Sequence, residues 1–221
     1  GSHIFLVNRA SLDAFFNSAF LTLFFFIPAI TMKAVSEEKK TGTLELIFTK
    51  SVREIDFILG KYFGVTAVIL IMLLLTIPYA VTLYAIGNPD TGTLISGYSG
   101  TVLISLVFGA IGIFCGTFSN NQVTSYLLSL LAGVFFIVIF ESLGGLIKGP
   151  FGEFFYYLSL NTHYNRISRG IIDLSALIYF LALIVWFLGI SSLILSERNF
   201  KAKQKPEKLR TLLKVGTFSL F

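Results

Sequence analysis

The groups that usually hold a metal or move a proton are few in this sequence: two histidines, one cysteine and 12 carboxylates in 221 residues. Neither His3 nor His163 has a Cys or His neighbour at ligand spacing, so local sequence assembles no metal site. Cys115 stands alone inside an apolar run, which excludes an intrachain disulfide. A phosphate-binding loop is missing as well. Gly60-Lys61 comes nearest, but Ile55 stands where the first glycine belongs and Tyr62 replaces the Ser or Thr. Glu141 lies at the edge of an apolar stretch, where it cannot serve as a buried proton relay. His163, beside Tyr164 and Arg166, reads as an interfacial or capping residue. The chain is therefore not expected to be an enzyme.

One segment carries a pattern of another kind. A charged stretch, Glu37, Glu38, Lys39 and Lys40, is helical in character and breaks at Gly42. Thr43 then has the side chain of an N-cap for a second short helix. Within that helix Leu44, Ile47 and Phe48 recur at i, i+3 and i+4 and share one apolar face, with Glu45 among the polar positions. A helix this short cannot span a bilayer, and its apolar face requires a cover. The spacing fits two roles equally: an anchor lying in the membrane interface, or a docking element for another protein. A second amphipathic turn, Ile55 to Leu59, follows.

The elements that must carry this segment are membrane helices. Composition is 55% hydrophobic, 15% aromatic and only 13% charged, with mean hydropathy +0.82. Soluble domains carry roughly 25% charged residues, so the sequence cannot coat a water-facing globule. Soluble enzymes, nucleic-acid-binding domains and disulfide-rich secreted modules are excluded. Five apolar runs, about 14–35, 62–86, 97–118, 123–140 and 174–195, have the 18–25 residues that a bilayer core of about 30 Å requires. The third and fourth are joined by the short polar hairpin Ser119 to Gln122. Gly109, Gly112 and Gly116 lie nearly on one face of the third, as small residues do where helices pack closely.

Charge orients the spans. Six basic residues fall from Lys33 to Lys61 and seven after the last span, against four (Arg9, Lys148, Arg166, Arg169) in the other connections. The two rich segments are expected in the cytoplasm, the N-terminus outside and the C-terminus inside. A chain that starts outside leads to the expectation of one further span before Gly1. The external segment, 141–173, holds apolar stretches too short to cross (Leu143 to Ile147, Phe154 to Leu160), punctuated by Gly144, Gly145, Gly149, Pro150 and Gly152. It is expected to form short re-entrant or interfacial helices with Tyr156 and Tyr157 at headgroup depth.

The run Ser36 to Val52, with Gly42-Thr43-Leu44-Glu45 at its centre and Ile58-Leu-Gly-Lys-Tyr-Phe63 after it, resembles the signature of ABC-2 type transporter permeases. Asn120 to Gln122, Tyr157 to His163 and Ser168 to Asp173 are similar to the gliding-motility (GldF) and nitrous-oxide-reductase maturation permeases of that family. The resemblance extends over essentially Ile4 to Asn199. It implies an all-α, polytopic helix bundle of the ABC-2 (type V exporter-like) kind, with five of six spans in this chain, a cytoplasmic coupling helix and short outer re-entrant helices. Residues 1–199 would be the transmembrane domain, with a coupling segment 36–60, and 200–221 a basic cytoplasmic tail whose end, Leu209 to Phe221, the family does not account for. The resemblance also implies ATPase coupling through Glu37, Glu38, Lys39, Lys40, Gly42, Thr43, Leu44, Glu45, Ile47 and Phe48. The chain would hold no cofactor, since ATP and Mg would bind an ABC ATP-binding partner subunit. A second permease subunit, identical or not, and the lipid bilayer of the bacterial inner membrane would be the other partners, with no nucleic acid. The expected function is the translocation pathway of such a transporter, in gliding motility or a similar process. The alternative is a non-transporting membrane scaffold, told apart by a dry, fully packed bundle.

Overall fold

A computed structural model describes residues 13–49, 52–86, 91–147, 149–168 and 173–218, and every regular element among them is helical. The order is α1 (Asp13–Thr31), α2 (Ser36–Thr41), α3 (Thr43–Thr49), α4 (Glu54–Leu74), α5 (Ile77–Ile86), α6 (Thr91–Phe118) and α7 (Gln122–Val134). A π-helical turn, Phe135–Ile139, leads into α8 (Phe140–Leu146). Then follow α9 (Pro150–Leu158), α10 (Leu160–Ser168) and α11 (Leu174–Phe218). Among the described residues, five helical stretches are long and apolar enough to cross a membrane: Phe15–Thr41, Glu54–Thr82, Thr91–Phe118, Gln122–Leu146 and Leu174–Arg198.

The third of these is the hub. In α6, 72% of the apolar window is buried inside the protein, against 17% to 28% for the other four. Small residues admit the neighbours. A methyl group at Gly112 would collide with the Thr31 hydroxyl of α1, and one at Gly97 with the Phe16 ring. Gly109 faces Tyr62 and Val65 of α4, and Gly116 faces Val35 and Ser125. The glycine face expected from sequence is thus a packing surface shared by several helices. Three buried serine hydroxyls are satisfied within their own helices: Ser105 donates to the Thr101 carbonyl (2.6 Å), Ser129 to Ser125 (2.8 Å) and Ser191 to Phe187 (2.7 Å). This is how a polar side chain is tolerated where water is scarce.

Element boundaries depart from expectation in four places. The turn Ile55 to Leu59 is the first turn of α4 itself, not a separate element. Leu143 to Leu146 extend the fourth span through the π-helical turn rather than starting a new helix. Hydrophobicity falls at Glu141 and Gly144, but nothing there breaks backbone hydrogen bonding. Helix α1 ends at Thr31 and the chain turns at Met32 to Val35 into α2. Beyond the last span, α11 continues as one 45-residue helix through residue 199 to Phe218.

The 141–160 region folds as a hairpin. Gly149, in the left-handed region at φ 100°, turns the chain, and Pro150 opens α9 at its first position. Gly144 lies so close to α9 that a methyl there would come within 2.8 Å of the Tyr156 backbone nitrogen. The two arms therefore pack side by side, and the segment does not cross the bundle. The α10 helix seals this end. The Tyr164 ring stacks 4.9 Å from Phe20, and its hydroxyl donates to the Phe16 carbonyl at 3.2 Å. His163 stacks 4.3 Å from Tyr179, and its Nε2 meets the Tyr157 carbonyl at 2.8 Å. A carbonyl can only accept, so Nε2 carries the proton and His163 caps the end of α9, as expected.

Candidate functional site: the α2–α3 coupling segment

Local sequence builds α2 and α3 as a jointed pair. Acidic Glu37 and Glu38 occupy the first turn of α2 and basic Lys39 and Lys40 the last, each matching the helix dipole. Gly42 ends α2 at φ 74°, the left-handed conformation that favours glycine. Across this joint the Thr41 and Thr43 hydroxyls lie 2.9 Å apart. Thr43 donates back to the Glu38 carbonyl at 3.3 Å. The residue expected as N-cap thus ties α3 to α2 across the joint.

The apolar face of α3 is covered by the protein itself. Leu44 and Phe48 are buried in the main core, and Ile47 packs against it. The Phe48 ring meets Phe57 of α4 edge to face at 5.7 Å. The i, i+3, i+4 pattern correctly marks the buried face, but the expected cover, a membrane surface or a partner, is replaced by the start of α4. Facing outward are Glu37, Lys40, Thr41, Gly42, Thr43 and Leu46. Lys50 falls outside the described residues, as does the Glu45 side chain.

Two charged residues of α2 turn inward and grip other helices. The Lys39 ammonium is buried and donates to the Thr117 carbonyl at 2.5 Å and the Ser119 carbonyl at 3.1 Å. It thereby caps the C-terminal end of α6 with a positive charge, where the helix leaves unpaired carbonyls and a negative pole. Glu38 forms an ion pair with Lys61 of α4, and the Lys61 ammonium sits 5.6 Å above the Phe57 ring. By contrast, the exposed Arg53–Asp56 pair at 3.0 Å contributes little. Next to the Lys39 cap, Asn121 opens α7 by accepting from the Val123 amide at 3.0 Å, and Arg198 of α11 donates to Asn120 at 3.3 Å.

Of the residues expected to couple, the structure brings Glu38, Lys39, Leu44, Ile47 and Phe48 onto the bundle, and leaves Glu37, Lys40, Gly42 and Thr43 on the surface. Sequence reasoning missed the grip itself. Lys39 and Thr117 are 78 positions apart, and no local spacing marks the pairing.

The α2–α3 connection between two spans thus has a polar, exposed outer face and is tied on its inner side to α4 and α6. A profile of the family described as ABC-2 family transporter protein matches residues 5–187, most of the chain. The chain belongs to the ABC-2 transporter family. No curated protein matches it. As an ABC-2 family member it is a multi-pass membrane permease subunit of an ABC transporter, a subunit kind that is typically non-catalytic and is partnered by an ABC ATPase.

Proposed function

We propose that this ABC-2 permease forms the translocation pathway together with a second permease subunit, and that α2–α3 receives the closing motion of the ATPase. One observation carries the reading: α2 holds the end of α6 through Lys39 and the start of α4 through Glu38, while its outer face is polar and exposed. With its apolar face already covered, α3 has little left with which to anchor in lipid, which favours docking. A push on the outer face reaches two spans at once. ATP and Mg bind on the partner, and nucleotide can shift the permease only through a difference in its docking contacts between two states.

Charge placement supports a cytoplasmic α2–α3 and an outer α8–α9 hairpin in the bacterial inner membrane. The likeness of Tyr157 to His163 and Ser168 to Asp173 to gliding-motility permeases supports transport in such a system. The test is Glu37→Lys with Leu46→Ser, both on exposed positions. Loss of permease-stimulated ATP hydrolysis, with insertion and thermal midpoint unchanged, is expected. Wild-type stimulation in that double variant overturns the docking surface.

A further inference from the structure

Beyond the last span, Leu174–Arg198, α11 runs on as helix to Phe218, roughly 30 Å further along the helical rise. Arg198 donates to Asn120 at 3.3 Å, beside the α6 end that Lys39 caps. The extension therefore leaves the bundle at the same end as α2–α3. Within 201–214 it carries Lys201, Lys203, Lys205, Lys208, Arg210 and Lys214 against one acid, Glu207.

Orienting a chain in the membrane needs only the number of basic residues near a span. Their placement here is more specific than that. At about 100° per helical residue, Ala202, Pro206, Leu209 and Leu213 fall on one stripe about 60° wide. Lys201, Lys205 and Lys208 border the stripe on one side, with Leu212 among them. Lys203, Arg210 and Lys214 border it on the other. Gln204, Glu207 and Thr211 occupy the opposite face, which puts the acid far from the stripe. An apolar stripe with basic residues along both edges suits a helix lying in a membrane interface, with its basic positions at the depth of the phosphates.

We propose that residues 201–214 bind the anionic phospholipid surface of the leaflet from which the last span emerges. Charge selects this occupant. A second copy paired along the stripe would bring basic edges against each other, whereas anionic headgroups meet both edges with opposite charge. Each basic residue near such a surface adds about fivefold to binding. Lys201, Lys203 and Lys205 lie within about 10 Å of Arg198 along the helix, about one Debye length at physiological salt. Pro206 comes next. It has no N–H to pair with the Ala202 carbonyl, and proline is a cause of sharp helix bends. A bend at that position lays the remaining stripe along the same surface. No residue of α2–α3 takes part, so a failure of ATPase docking leaves the inference standing.

The test uses the full chain with Cys115→Ala and a nitroxide spin label on Leu209→Cys. It is reconstituted in nanodiscs of phosphatidylcholine alone, or of phosphatidylcholine and phosphatidylglycerol in equal parts. Collisions with oxygen report contact with lipid, and collisions with a neutral nickel chelate report contact with water. In the anionic discs the label should gain oxygen collisions and lose nickel collisions; in the neutral discs it should stay in water. A label on Thr211→Cys, on the opposite face, should meet the nickel chelate in both. Lys203→Gln, Arg210→Gln and Lys214→Gln together should shift the bound–free equilibrium about a hundredfold toward free. High salt should release the wild-type helix as well. Equal accessibility of the Leu209→Cys label in the two lipids, identical behaviour of the two label positions, or no effect of the glutamine variant overturns the proposal. Shielding that appears in native membrane vesicles but not in anionic discs overturns it too, and assigns the stripe to an acidic protein.

Discussion

Lys39 shows how far one side chain can differ from its sequence neighbours. Within Glu37 to Lys40 the four charges look alike, yet one ammonium is buried on two carbonyls and one carboxylate is tied to Lys61. Lys39→Met keeps the apolar stem and removes the charge, leaving the Thr117 and Ser119 carbonyls without their donor. The expected loss is about 1.5–3 kcal/mol, read as a lower thermal midpoint, with ATPase stimulation falling although the docking face is untouched. His163 gives a pH dependence. Burial holds its imidazole below the ordinary value of about 6.5, against the opposing bond to the Tyr157 carbonyl. The unfolded chain therefore binds the proton more tightly than the folded one. Stability from this site is complete above about pH 6.5 and falls as pH drops through the window down to the folded value. His163→Gln, which can still donate to Tyr157, should flatten the acid side of the curve of thermal midpoint against pH. An unchanged acid limb would show that His163 is not the titrating group.

At the scale of elements, much was legible and the reasons are physical. Spans are set by apolar length, the joint at Gly42 by glycine's backbone freedom, and the outer hairpin by Gly149-Pro150; all three are local and can be read from a few residues. Covering partners are not local. The pattern Leu44, Ile47, Phe48 says that a face must be buried, but its cover, Phe57, belongs to the next helix, α4. The fourth span ran past its expected end because a drop in hydropathy at Glu141 does not interrupt a helix. Orientation follows from charge and can be checked by labelling. In a Cys115→Ala background, a membrane-impermeant maleimide added outside should modify Glu153→Cys but not Lys40→Cys, both exposed positions. The opposite pattern would reverse the assignment of α2–α3 to the ATPase side.

At the scale of the whole molecule, α6 organises everything and the other spans are peripheral. They turn large apolar faces outward, among them Leu75, Leu131, Val185 and Leu193, each more than 60% exposed. Lipid covers such faces in a multi-pass membrane protein, and the second permease subunit proposed above would cover part of them. The central position of α6 also has a consequence for how the protein is made. Its neighbours come from both sides of it in the chain: α1 and α4 precede it, and α10 and α11 are made after it. Until they arrive, the hub helix offers its Gly100 and Ser105 flank to lipid or to the insertion machinery. A nascent chain stalled before Leu160 would thus carry α6 without the helix that covers Gly100.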